Sequence, residues 1–119
     1  MNQVTPQEFH HTLSSARDDT TVDFINVCTP AEYKEKSIPG VRNVPLDELD
    51  QHLDEFTDKQ RIYVHCQSGR RAGQAIERLR KLGVQAELFN VEGGLTAWHA
   101  AGLPTESKTN RLPIMRQVL

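Results

Sequence analysis

The sequence predicts an α/β fold with a mostly parallel sheet, and three observations carry that reading. Short β-branched runs alternate with apolar stripes of helical period. Each change of period is punctuated by a Thr-Pro helix start, a glycine or a proline. The chain has 119 residues, which suits one ordinary domain with a single core and leaves no room for a separate nucleotide-binding domain.

The elements follow in order. Thr5-Pro6-Gln7-Glu8 is a helix start, with Thr5 as N-cap, Pro6 at the first helical position and Glu8 closing a capping box. Phe9, Leu13 and Ala16 then recur at helical spacing, and the segment from Asp18 to Thr21 ends the helix. Val22 to Val27 is a β-branched apolar run and predicts a strand. Thr29-Pro30-Ala31-Glu32 repeats the helix-start chemistry, so a short helix follows that strand at once. Ile38-Pro39-Gly40 is a turn, and Val41 to Val44 a short strand kept off the sheet centre by Pro45. Leu46, Leu49, Leu53 and Phe56 make a helical stripe before a loop over 57–60. Arg61 to His65 is the second β-rich run. Beyond Gly69, the residues Ala72, Ala75, Ile76, Leu79 and Leu82 share one helical face, which Gly83 terminates. Glu87 to Val91 predicts another strand, and Gly93-Gly94 turns the chain into a short helix bearing Leu95 and Trp98 that Gly102 and Pro104 stop. The domain therefore spans 1–105, and 106–119 is a C-terminal tail or linker stub.

Composition narrows the function. Apolar residues are 37% and charged residues 25%, as in soluble globular proteins, and the net charge of -2 gives no basic excess for nucleic acid. Two cysteines, Cys28 and Cys66, make neither a disulfide framework nor a four-thiolate zinc site, and a reduced, cytoplasmic compartment is the simplest reading. No signal peptide is visible, and no apolar run approaches the roughly 20 residues that cross a bilayer. Of His10, His11, His52, His65 and His99, only His65 stands beside another ligand type, Cys66, and adjacent residues converge poorly on one metal. No metal and no cofactor are expected. Arg78, Arg80 and Lys81 read as a solvated helix face, and Trp98 either walls a pocket or packs its helix into the core.

The chemistry concentrates in Cys66-Gln67-Ser68-Gly69-Arg70-Arg71, which joins a strand directly to a helix. In open α/β sheets ligands bind beyond the carboxyl ends of strands. A thiol there faces the free N–H groups and positive dipole end of a helix. Gly69 lets the loop curl into an anion-binding nest, and Arg70 and Arg71 add positive charge at its rim. Each feature favours an exposed thiolate. The competing reading, a small buried residue at a strand end, does not account for Gly69 and two arginines following at once. Two chemistries remain open. Phosphoryl transfer by cysteine phosphatases uses Cys, five residues, then Arg; here the arginines stand four and five positions after Cys66, and Ala72 takes the sixth. Sulfur transfer instead needs only a thiolate that attacks sulfane sulfur, because sulfite leaves without a proton.

From about Val4 to Pro104 the chain resembles a single-domain rhodanese. The resemblance rests on Val22 to Val27 followed by Thr29-Pro30-Ala31-Glu32-Tyr33, on Ile38-Pro39-Gly40-Val41, on the Cys66 to Arg71 loop, and on Glu92-Gly93-Gly94 with Trp98 and Gly102-Leu103-Pro104. It implies a three-layer fold with a five-stranded sheet and helices on both faces. It also implies a persulfide on Cys66, with Gln67, Ser68, Gly69, Arg70 and Arg71 binding a small anionic sulfur donor such as thiosulfate, and cyanide or a thiol as acceptor. A sulfur-carrier or redox and nitrosation module with little turnover is the alternative; a phosphatase or arsenate reductase is disfavoured by loop length. Where the family usually has Asp-x-Arg, this chain has Asn26-Val27-Cys28, and Lys36-Ser37 replaces Gly-His before Ile38. Cys28 is either a packed residue at the arginine's position or a group that resolves an oxidised Cys66. Leu112-Pro113-Ile114-Met115-Arg116-Gln117-Val118 resembles the junction of membrane-anchored rhodaneses, so a membrane is a partner only if the tail continues into a transmembrane segment.

Overall fold

The computed structural model describes residues 2–108. Five strands form one sheet: β1 (Asn2–Val4), β2 (Val22–Asn26), β3 (Arg42–Asn43), β4 (Arg61–His65) and β5 (Glu87–Val91). Their order is β1-β5-β4-β2-β3, and every pair is parallel. Three α-helices lie between successive strands, α1 (Pro6–Ser15), α2 (Pro30–Glu35) and α3 (Arg70–Lys81), and a fourth, α4 (Gly94–Ala100), follows β5.

The two capping boxes form as the sequence predicts. Thr5 Oγ1 accepts from the Glu8 N–H at 3.1 Å while Glu8 accepts from the Thr5 N–H at 2.8 Å. Thr29 and Glu32 make the same exchange at 3.2 and 2.9 Å. Three residues thus separate α2 from β2, and the pairing of Asn26 with His65 sets the carboxyl edge of β2 beside that of β4. Val41 to Val44 contributes only the two-residue edge strand β3.

Alternation along the strands divides the core into two layers. On one face Ile25, Val27, Ile62, Val64 and Leu88 pack against Ala72, Ala75, Ile76 and Leu79 of α3 and against Leu49 and Phe56. On the other, Phe24, Tyr63 and Val91 pack against Phe9 of α1 and Leu95 and Trp98 of α4. Trp98 is fully buried, its indole N–H donating to the Pro104 carbonyl at 2.7 Å, so it serves the core.

Two elements differ from the sequence expectation. Leu46–Glu55 is a 3₁₀ helix, with tight i to i+3 bonds from Glu48 N–H to Pro45 and from Phe56 N–H to Leu53. Asp47, Asp50 and Asp54 lie along it, and aspartates compete with the backbone of an α-helix. β1 has no periodicity to reveal it; it exists because β5 offers an edge, on which Asn2, Gln3 and Val4 stand opposite Phe89, Asn90 and Val91. Beyond α4 the chain returns toward α2, where Glu106 and Ser37 form an antiparallel bridge and the Lys108 N–H reaches the Lys34 carbonyl at 2.8 Å. The tail motif at 112–118 lies outside the described residues. Among the described residues no helix is long and apolar enough to cross a membrane.

Candidate active site

β4 carries the chain to its carboxyl edge at His65, and α3 begins at Arg70. Gly69 bridges them at φ 105°, a left-handed conformation; a Cβ there would meet nothing closer than 3.9 Å, so conformation and not space requires glycine. The turn folds the first helical amides back onto the thiol. Cys66 Sγ accepts the Gly69 N–H at 3.0 Å and the Ala72 N–H at 3.3 Å.

The outer side of the loop is held by α4. Leu95 N–H donates to the Cys66 carbonyl at 2.8 Å and Thr96 N–H to the Gln67 carbonyl at 3.0 Å. This approach requires Gly94, where a Cβ would collide with the Cys66 carbonyl oxygen. Asn90 adds a bond from Nδ2 to the Gly69 carbonyl at 3.1 Å. In the sequence Gly93-Gly94 reads as a turn and Asn90 as a strand residue; the spacing of the Glu-Gly-Gly motif from the cysteine loop is the signal that could reveal their contact with it. His65 Nδ1 lies 3.1 Å from the Cys66 carbonyl. Burial pushes its imidazole down to about 4, so the ring is neutral and donates from Nδ1.

One expectation needs correction. Cys66 is not exposed: it is 1% accessible, because α3 and α4 grip the loop from both sides and place the sulfur at its floor. Arg71, one of the two arginines expected at the rim, is ion-paired. It makes a two-pronged ion pair with Glu32 of α2, at 2.8 and 3.1 Å. The Arg71 guanidinium and the Thr29 N–H hold the Glu32 carboxyl down to about 2. Arg70 and Ser68 are exposed and Gln67 is half-buried. Of the residues the sequence singles out, Cys66, Gly69 and the start of α3 converge, whereas Arg71 turns toward α2.

Cys28 stands next to this assembly. Asn26 Oδ1 accepts the Cys28 N–H at 2.8 Å, an Asx turn that bends the chain at the end of β2. Asn43 Nδ2 donates at 3.0 Å to the carbonyls of Asn26 and Cys28. Arg71 Nη2 is 3.8 Å from Cys28 Sγ. Burial nevertheless pushes the Cys28 thiol up to about 11, against the opposing pull of Arg71 and the Gln67 N–H.

The fold and site together define a parallel α/β domain with a cysteine thiol seated under the first turn of a helix that follows a sheet strand. The chain belongs to the rhodanese-like family, whose Rhodanese-like domain profile matches residues 9–101. It is 35% identical over 108 residues to an uncharacterized protein, slr1261, of Synechocystis, covering 90% of this chain but only 60% of that protein's length. It is 28% identical to a sulfurtransferase of Allochromatium vinosum, over 87% of this chain and 94% of the relative. Among solved structures it resembles a rhodanese-like domain protein from Staphylococcus aureus, with a TM-score of 0.74 and 28% identity over 92% of this chain and all of that one.

Proposed function

We propose that the protein is a sulfurtransferase that takes sulfane sulfur from thiosulfate, or a donor like it, and passes it to cyanide or a thiol through a persulfide on Cys66. The observation that carries the reading is the pair of backbone N–H groups, from Gly69 and Ala72, that converge on Cys66 Sγ at the start of α3. They offer fixed positive dipoles to a sulfur anion. The thiolate attacks the outer sulfur of thiosulfate, the sulfur–sulfur bond breaks, and sulfite departs with its electron pair. Cyanide then attacks the terminal sulfur of the persulfide and leaves as thiocyanate, restoring the thiolate.

Within this reading the two arginines divide. Exposed Arg70 draws the dianion toward the loop, while Arg71, committed to Glu32, braces α2 against α3. Two free thiols suit a reducing compartment. Phosphate monoesters are poor substrates, because Ala72 occupies the position at which a phosphatase loop places arginine and its N–H already points at sulfur.

Incubation with thiosulfate should add one sulfur, about 32 Da, to the intact protein, and cyanide should remove it as thiocyanate (the mass is that of the persulfide sulfur). Cys66→Ala should abolish both. Undiminished thiocyanate formation by that variant, or efficient Cys66-dependent hydrolysis of p-nitrophenyl phosphate with little sulfur transfer, would overturn the assignment.

A further inference from the structure

The second thiol has no part in the transfer described above, yet the fold brings it to the same place. The Val27 N–H donates to the His65 carbonyl at 3.0 Å, so β2 and β4 stay paired to the last residue before each loop. Their register sets Asn26 opposite His65. Continued by one residue, it sets Val27 beside Cys66, with Cys28 one step diagonal. A fully extended pair, with strands about 4.8 Å apart and a rise of about 3.3 Å per residue, would set such diagonal Cα atoms about 6 Å apart; the Asx turn at Asn26 bends the chain from that line, yet the N–H of Gln67, the residue after Cys66, still reaches the Cys28 thiol. Disulfides span Cα separations of about 4.4–6.8 Å.

Side-chain direction fits as well. Strict alternation would turn Cys28 away from the face that Val27 occupies, but the Asx turn at Asn26 breaks it. Both cysteines lie in the same apolar layer, with Ile25, Val27 and Val64. Each thiol acts electrostatically on Arg71, and Cys66 acts on Cys28.

We propose that Cys28 is a resolving thiol that discharges the Cys66 persulfide as hydrosulfide, leaving a Cys28–Cys66 disulfide. The step rests on the persulfide reading above and balances without an external oxidant. The persulfide anion takes the Cys28 proton. The Cys28 thiolate, beside Arg71, then attacks Cys66 Sγ. The bond between Cys66 Sγ and the outer sulfur breaks, and that sulfur departs as HS⁻ with the electron pair and the proton. Two cysteine sulfurs are oxidised to a disulfide while one sulfane sulfur is reduced to sulfide. A dithiol reductant, small or protein-borne, reopens the bond for the next cycle. Because Cys28 holds its proton tightly, discharge is slower than transfer to cyanide and operates when no acceptor is present.

The test loads reduced protein with inorganic polysulfide, which does not depend on the thiosulfate reaction, then removes excess reagent and follows the protein without oxygen or acceptor. Wild type should release sulfide and fall to a mass about 2 Da below the reduced protein, with one peptide pair linked through Cys28 and Cys66 (loss of two hydrogens on disulfide closure). Cys28→Ser and Cys28→Ala should each hold the added sulfur at least about ten-fold longer, since the neighbouring thiol acts at a high effective concentration. Equal retention in wild type and both variants would overturn the proposal. A separate arm treats the reduced protein with one equivalent of diamide. The same intramolecular disulfide should close, and recovery of both thiols free or only of linked dimers would refute the juxtaposition, whatever the outcome with thiosulfate.

Discussion

Gly94→Ala tests how the sulfur loop is held. Gly94 has φ 55°, and a Cβ there would collide with the Cys66 carbonyl oxygen and lie 2.7 Å from the Gln67 carbonyl oxygen. Gly102 is the control, at φ 75° with nothing within 4 Å of the added atom. Both substitutions carry the left-handed penalty of roughly 1–2 kcal/mol. Only Gly94→Ala also forces α4 off the loop. That weakens the Leu95 and Thr96 hydrogen bonds, about 1 kcal/mol each, and adds overpacking of about 1–3 kcal/mol. The expected losses are therefore about 1–2 kcal/mol for Gly102→Ala and about 4–7 kcal/mol for Gly94→Ala. The second figure approaches the whole stability of a small domain, about 5–15 kcal/mol. Urea unfolding followed by far-ultraviolet circular dichroism measures both, and thiocyanate formation reports the loop. Equal losses for the two variants would refute the argument that α4 packs on the loop through a glycine-only contact.

Other outcomes follow from the same geometry. His65 stays neutral in the fold, with its imidazole pushed down to about 4 from an ordinary 6.5. The unfolded chain binds a proton that the native state refuses, so stability is full above pH 6.5 and falls by about 3 kcal/mol as the pH drops through 4; urea midpoints across that range should show a decline that His65→Phe flattens. Glu32→Gln keeps the capping bond to the Thr29 N–H but removes the charge facing Arg71. Its partners are about a third exposed and solvent-screened, so the loss should be no more than about 1 kcal/mol at neutral pH. With the Glu32 carboxyl held down to about 2, that contribution is present above the ordinary carboxylate range and disappears as the pH falls toward 2. Arg70→Ala should raise the KM for thiosulfate about three- to ten-fold with kcat nearly unchanged, an effect that fades at high salt; a fall in kcat with constant KM would place Arg70 at the reacting sulfur instead.

Local chemistry was legible in the sequence because it needs only neighbours along the chain. Thr5-Pro6 and Thr29-Pro30 with glutamates at the third helical position can hardly do anything but cap helices, and both boxes form. The apolar face from Ala72 to Leu79 lies where its period places it, under the sheet. Cys66 followed by Gly69 and a helix marked the candidate site for the same reason: a strand end, a left-handed glycine and free helix amides are consecutive in sequence. Tertiary structure decided what depends on residues far apart. β1 is a strand only because β5 has an open edge. Arg71 became a brace because a second capping box delivers Glu32 to it from 39 positions away. Gly94, as well as permitting a turn, lets α4 touch the Cys66 carbonyl, and this close packing also buries the thiol that charge and motif alone placed at the surface. An ion pair, a backbone contact and a residue's exposure are properties of the assembled layers, and no stretch of chain carries them until the sheet has brought its segments together.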